Sequence, residues 1–187
     1  LAETFLLKEP GAKIIHDPRV IWNIQNVIEK NGGIAIKSKT GHAFIKQSMR
    51  DNTALYGGEI SAHHYFRDFA YCDSGMIPWL LIIELMGRTG KTLSELVAVQ
   101  KTMFPSSGEI NFQLADPGHS IEKVVGHYSG EFLSKEEFDG LTLTFDAWRL
   151  NLRCSNTEPL VRLNIESRGD IDLIDQKLAE IKAILYS

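Results

Sequence analysis

The chain has 187 residues, 43% hydrophobic and 24% charged, with 20 Lys+Arg against 24 Asp+Glu for a formal charge of −4. Those fractions exclude disordered, collagen-like and fibrous chains, and the acidic balance argues against a dedicated nucleic-acid binder. The longest apolar run, Met76 to Ile83, is far shorter than the roughly 20 residues of a bilayer span, so no membrane partner is expected.

Leu1–Leu7 reads as a helix, and a chain that opens on leucine inside a helix leads us to expect that something upstream was cut away. Ala12–His16 is a short apolar run fit for a buried strand. Asp17-Pro18 then reads as an N-cap followed by proline at the first helical position, with Val20, Ile24, Val27 and Ile28 at helical spacing and Gly32-Gly33 as the stop. Ile34–Lys37 is the next strand, Ser38–His42 a polar break, and Phe44, Ile45, Ser48 and Met49 a second short helix. Ala54-Leu55-Tyr56 leads into a glycine-rich loop at Gly57-Gly58. Helices are predicted over 75–88 and 92–103, the second opened by a Thr92/Glu95 capping box. Strands alternating with helices predict an αβα-layer domain with a mixed, largely parallel sheet over residues 1–104.

Phe104–Gly108 changes the pattern and marks a linker, placed at 105–115. Beyond it, 141–145, 148–154 and 161–165 alternate apolar and polar residues, as antiparallel strands with one wet face do. Ile171, Ile174, Leu178, Ile181 and Leu185 form the stripe of a final helix. Residues 116–187 are therefore a small α+β domain. Cys72 and Cys154, far apart, make neither a disulfide framework nor a zinc site. With no Asn-x-Ser/Thr acceptor and no signal-peptide pattern, a reducing, cytoplasmic setting is expected.

Three stretches have the composition of ligand loops. Lys39-Thr40-Gly41-His42 lies between a strand and a helix, where glycine lets the backbone approach a ligand and Lys39 and His42 add donors; an ordinary helix-starting turn reads the same way. Gly57–Tyr65 holds Glu59 and Ser61, which in an extended loop point the same way and suit neighbouring sugar hydroxyls. His63 and His64 suggest a metal, but adjacent residues of extended chain point apart and no further ligand stands at useful spacing. Arg153–Pro159, with Arg162 beyond, offers small polar residues in a tight turn flanked by arginines, a chemistry suited to phosphate; a polar hairpin with solvated arginines is the plainer alternative. Ser61 with His63 is set aside as a nucleophile for want of an acidic partner to orient the base. Asp170, Asp172 and Asp175 are assigned to capping the final helix.

In this order, Lys39–His42, Gly58–His63 and Arg153–Pro159 resemble the α-D-phosphohexomutases, most nearly the bacterial members acting on mannose phosphates, and Ile14–Arg19 and Tyr65–Phe69 extend the resemblance along nearly the whole chain. The resemblance implies four domains around one cleft, three of α/β architecture and a smaller fourth with a TATA-binding-protein-like antiparallel sheet packed by helices. This chain is similar to the third, from after its first strand, joined to the fourth. The family's phosphate-carrying serine, in a Ser-His-Asn-Pro loop, and its Mg2+ loop belong to domains one and two. Neither motif occurs here, so the expectation is a C-terminal fragment, inactive alone, whose partners are the missing N-terminal domains.

For the full enzyme the resemblance implies interconversion of mannose 6-phosphate and mannose 1-phosphate through a phosphoserine and a hexose 1,6-bisphosphate that turns end for end. Sugar-nucleotide and polysaccharide synthesis, including GDP-mannose, is the family's metabolic setting. Arg153, Ser155, Asn156, Thr157 and Arg162 match its phosphate anchor, and Glu59 and Ser61 its sugar-hydroxyl readers. His42 matches a histidine beside the transfer centre, and Arg19, Lys39 and His63 match ligand-facing positions. Asn156 replaces a glycine common in the family, a change that left-handed backbone tolerates, and Cys154 occupies a variable position. A glucose-specific or dual-specificity mutase, or a non-catalytic phosphosugar-binding module, are the alternatives.

Overall fold

In the computed structural model, which describes residues 1–155 and 160–187, the run at Ile14-Ile15 becomes the middle of a five-stranded sheet. Strand β1 (Lys13–His16) pairs in parallel with β2 (Ile34–Lys37) on one side and β3 (Tyr56–Gly58) on the other; β4 (His64–Phe66) and β5 (Cys72–Asp73) continue antiparallel, in the order β2-β1-β3-β4-β5. Alternation along β1 sends its two isoleucines into different layers. Ile14 packs with Leu6 of α1 (Ala2–Lys8), Ile28 of α2 (Trp22–Lys30), Tyr56 and Phe66, against Ile77 and Leu81 of α4 (Met76–Thr89). Ile15 packs with Ile45 and Met49 of α3 (His42–Asn52) and with Tyr65. The result is the expected αβα sandwich, its parallel part confined to β2-β1-β3.

Two local expectations change. Gly57-Gly58 is not loop but the end of β3: a Cβ at Gly57 would stand 3.0 Å from Met49 Sδ and 3.3 Å from Ile45, so glycine is what lets α3 lie close on the sheet. Asp17-Pro18 does not start α2, which begins at Trp22; Asp17 has other partners, described below. The apolar run of α4 is split, with Ile77 and Leu81 packed against the Ile14 layer and Met76, Trp79, Leu80 and Ile83 exposed. Helix α5 (Leu93–Met103) does carry its capping box, with Thr92 N and Oγ1 donating to Glu95 Oε2 and Glu95 N donating to Thr92 Oγ1. Among the described residues no helix is long and apolar enough to cross a membrane.

The chain divides into units at residues 1–99 and 100–187. In the second, β6 (Ile110–Gln113), β7 (Ser134–Glu137), β8 (Leu141–Thr144), β9 (Trp148–Cys154) and β10 (Leu160–Ser167) form an antiparallel sheet in the order β6-β10-β9-β8-β7. Leu143, Leu150, Leu152, Leu163 and Ile165 pack with Val124 and Tyr128 from α6 (Pro117–His127) and its C-cap, and with Ile174, Ile181 and Leu185 of α7 (Ile171–Tyr186). Asp170 caps α7, accepting from Leu173 N at 2.9 Å. Helix α6 and strand β7 were not foreseen, although Asp116-Pro117 is a real N-cap with proline behind it: Asp116 accepts from His119 N at 3.0 Å.

Part of the second face of this sheet is not wet. Arg149, Asn151, Asn164 and Glu166 are buried on it, and burial requires partners. Arg149 Nη1 meets Glu166 Oε1 at 2.6 Å, Asn151 Nδ2 donates to Thr142 Oγ1 at 3.1 Å, and Asn164 Nδ2 donates to the Gly108 carbonyl at 2.9 Å. The stretch expected as a linker is likewise structured. Ser107 exchanges backbone and hydroxyl hydrogen bonds with Ile165, Ser167 N donates to the Pro105 carbonyl, and β6 pairs with β10.

Candidate active-site loops at the strand ends

Strand order 2-1-3 makes the boundary between β1 and β3 a point where the connections diverge, and ligands of open α/β sheets bind beyond the carboxyl ends of strands at such points. The loops leaving β1, β2 and β3 are knotted together there by two buried carboxylates. Asp17 Oδ2 accepts from the Arg19 guanidinium at 2.8 Å and from Ile60 N at 2.7 Å, while its Oδ1 accepts from Arg19 N at 2.9 Å. Glu59 Oε1 accepts from Gly41 N at 2.8 Å and its Oε2 from the Tyr65 hydroxyl at 2.6 Å. Burial, with Glu59 second, pushes the Tyr65 phenol above its ordinary range, so it stays a donor. Gly41, at φ +117°, occupies backbone that favours glycine as the chain enters α3.

This geometry corrects one expectation. Glu59 and Ser61 do not lie on extended chain: the loop turns, with Ala62 N donating to the Glu59 carbonyl and Ala62 at φ +64°. Glu59 therefore points inward, its side chain only 2% exposed, while Ser61 is exposed. Arg19 is also buried, held by Asp17. Lys39 and His42 are exposed and His63 is half-buried, so these, with Ser61, are the candidate groups of this loop cluster open to a ligand.

The histidines form a group. His42 and His63 meet edge to face with ring centroids 4.6 Å apart, and His42 Nδ1 lies 3.1 Å from Asp73 Oδ1, which also receives Lys46 Nζ at 3.0 Å. Ser61 Oγ lies 3.0 Å from His63 Nδ1, and Glu59 Oε2 lies 3.6 Å from the same nitrogen. An acidic neighbour of His63 thus exists after all. Yet a serine–histidine–acid relay needs the hydroxyl and the carboxylate on different ring nitrogens, and here both fall on Nδ1. His64 turns away to the Tyr56 hydroxyl at 2.5 Å, and burial lowers its basicity.

In the second unit, Arg153 of β9 and Arg162 of β10 are directly opposite in register, an arrangement of like charges that is unfavourable unless something neutralises it. Glu109, just before β6, does so: its oxygens stand 3.9 Å from Arg153 and 3.6 Å from Arg162, and Asp139 stands 3.8 Å from Arg153. Those distances leave charge attraction but exceed hydrogen-bond length. Ser155 N donates to the Leu160 carbonyl at 2.8 Å. Asn156 and Thr157 lie outside the described residues.

Residues 1–103 match the family model for phosphoglucomutase/phosphomannomutase, alpha/beta/alpha domain III, and residues 109–184 match the model for the C-terminal domain of the same family. The chain belongs to the phosphoglucomutase/phosphomannomutase family. It is 58% identical over 187 residues to a phosphomannomutase of Salmonella montevideo and 51% identical over 185 residues to phosphohexose mutases of Xanthomonas campestris, and it spans 41% of each relative's length. A phosphoglucomutase/phosphomannomutase family protein of Burkholderia thailandensis has the same fold at a TM-score of 0.74 and 26% identity, over 98% of this chain and 40% of that one. An N-acetylphosphoglucosamine mutase of Aspergillus fumigatus shares the fold alone, with a TM-score of 0.66 and 14% identity over 98% of this chain.

In this phosphohexomutase chain, domain III carries Arg19, Lys39, His42, Glu59, Ser61 and His63 on three loops tied by Asp17 and Glu59, and the C-terminal domain sets Arg153 opposite Arg162, with Ser155 two residues beyond Arg153. The sequence reading missed Asp17 as a loop clamp, Tyr65 and Asp73 as partners of Glu59 and His42, and Glu109 and Asp139 beside the arginines. Only Asp17 and Tyr65 carried a signal, since both lie within the stretches that suggested the family.

Proposed function

We propose that this chain is the sugar-reading and phosphate-anchoring part of a phosphohexomutase that interconverts mannose 6-phosphate and mannose 1-phosphate through a phosphoserine and a hexose 1,6-bisphosphate, the serine being supplied by another part of the protein. Membership in the family and the named relatives support the reaction class. The observation that carries the chain's own role is the Arg153–Arg162 pair, opposed in register and charge-balanced by Glu109 and Asp139 at distances that leave guanidinium N–H groups for an incoming phosphate. Arg153, Arg162 and Ser155, with Asn156 and Thr157, would anchor the phosphate that is not reacting. In domain III, Ser61, His63 and Lys39 would meet sugar hydroxyls or phosphate oxygens, and His42 would handle a proton beside the transferring group. We assign Glu59 and Arg19 to the same ligand cluster acting from beneath: Glu59 ties Gly41 and Tyr65 under the histidines, and Arg19 fixes Asp17. Positioning and electrostatics dominate phosphoryl transfer, so such groups act on rate without being nucleophiles.

Mg2+ would neutralise developing phosphoryl charge in this chemistry. Among the described residues no group of three or more His, Cys, Asp or Glu could hold a metal ion, so we route no step through it and assign it to another part of the protein. Cys72 and Cys154 are free thiols, which supports a reducing, cytoplasmic setting. The test is turnover by the full-length protein on mannose 6-phosphate and glucose 6-phosphate, with hexose 1,6-bisphosphate as activator. Conversion of the mannose ester is the expected result, equal use of both esters would make the enzyme dual-specific, and conversion of neither would sink the mutase reading in favour of a binding module.

A further inference from the structure

His42 opens α3, and its Nδ1 faces a carboxylate that comes from elsewhere in the chain. Asp73 lies 31 positions later, on β5, and reaches His42 only because β3, β4 and β5 fold back on one another beside α3. Lys46, one helical turn beyond His42, delivers Nζ to the same oxygen at 3.0 Å. Two donors on one oxygen keep the group a carboxylate: burial pushes the Asp73 carboxyl up, but Lys46, the residue's own backbone N–H and His42 outweigh it and hold it below the usual range. The ring also touches His63 at 4.6 Å and Tyr65 at 5.6 Å between centroids, both edge to face, while the rest of it stays exposed.

A carboxylate cannot donate, so a neutral imidazole facing it at 3.1 Å must carry its proton on Nδ1. We propose that Asp73 is the positioning residue of His42: it fixes the neutral ring as the Nδ1–H tautomer and thereby leaves Nε2 as the lone-pair nitrogen available to the phosphosugar. The same logic orients histidines by a carboxylate on the far nitrogen in metal sites and acyl-transfer enzymes. This deepens the functional reading of His42 and rests on it. Lys46 has a defined part here, because it satisfies the carboxylate even when His42 turns over a proton, and so holds Asp73 in place through the cycle. In the first-unit cluster the other acids, Asp17 and Glu59, are already committed to Arg19, Ile60, Gly41 and Tyr65, which leaves Asp73 to orient this ring.

The experiment uses the full-length protein with 15N-labelled histidine. The imidazole signals of His42, assigned by their loss in His42→Gln, report which nitrogen carries the proton. The wild type is expected to show Nδ1–H at a pH where the ring is neutral, and Asp73→Ala to revert toward the Nε2–H form that free imidazole side chains prefer. In parallel, Asp73→Ala and the isosteric Asp73→Asn should lower kcat on mannose 6-phosphate on the order of 10–100-fold, the usual cost of losing an orienting partner, with KM changed far less and Asp73→Glu restoring part of the rate. A wild-type ring protonated on Nε2, or a tautomer that Asp73→Ala and Asp73→Asn leave unaltered, overturns the assignment. An Nδ1–H ring combined with full turnover in His42→Gln has a different meaning: it removes His42 from the reaction while the Asp73 assignment stands on the spectrum.

Discussion

The two candidate ligand regions solve the problem of holding charge in opposite ways. Beyond the first sheet, the buried acids Asp17 and Glu59 are saturated at 2.6–2.9 Å by Arg19, Ile60 N, Gly41 N and Tyr65, and only the side chains resting on them remain available. On the second sheet, Arg153 and Arg162 are flanked by acids that stop 3.6–3.9 Å short. Saturated groups shape a loop, whereas undersaturated donors keep N–H groups that a ligand can take. Arg149 makes the same point within one strand: four positions are enough to pass from Arg153 through Asn151 to a guanidinium sealed against Glu166 at 2.6 Å.

If the first region is a structural clamp, its largest test is Asp17→Ala. Removing Asp17 takes the ion-pairing carboxylate from the buried Arg19 and the acceptor from the Ile60 amide, so a loss of about 3–5 kcal/mol is expected in urea unfolding. A loss near 1 kcal/mol, the size of an ordinary cap, would return Asp17 to the role the sequence suggested. The second region should respond in the opposite sense. Arg153→Ala in the full-length protein should weaken mannose 1-phosphate binding by roughly 1.5–3 kcal/mol, the worth of a hydrogen bond to a charged group, while the unfolding midpoint hardly moves. Unchanged affinity by calorimetric titration would remove Arg153 from the anchor and erase the contrast. Asp116→Ala, which loses a true N-cap on α6, should cost about 1 kcal/mol, against which the Asp17 effect can be scaled.

The smallest effect is a pH dependence. Asp73 is held down as described, and Glu180 behaves alike: burial pushes it up, but Lys177 and His127, each at 2.8 Å, more than compensate. Carboxyls depressed in the folded state stabilise it fully above the unfolded value of about 4, and that stability is lost as pH falls through the folded values. Urea midpoints of Asp73→Asn and Glu180→Gln should therefore converge on the wild type in acid and fall below it at neutral pH. A wild-type stability that rises on acidification from pH 5 to 3 would contradict both depressed carboxyls.

Two Asp-Pro pairs show how far the sequence could be read. Asp116-Pro117 starts a helix and Asp17-Pro18 does not, though the dipeptides are identical. Near Asp17 a guanidinium two residues on and an amide 43 residues on, Arg19 and Ile60, compete for the carboxylate; Asp116 instead caps α6 by accepting from His119 N. Local signals decided the Thr92/Glu95 box, the α7 stripe and the alternation of β8 to β10, because each is satisfied by residues within a turn or a strand. The buried Arg149–Glu166 pair defeated the alternation rule, since period two tells which residues share a face but not whether that face meets water.

The amino-acid sequence by itself determined the αβα and antiparallel architectures, the order of the three ligand loops and the residues that ally the chain with the phosphohexomutases. These follow from periodicity and from short motifs, in which every participant is close in the chain. Tertiary structure alone decided that Glu59 points inward, that Asp73 faces His42 from 31 positions away and that Glu109 balances the arginines. Hydrogen bonds and charge pairs act over a few ångströms of space and are blind to sequence separation, so only the folded backbone selects among the many acids that could have made them.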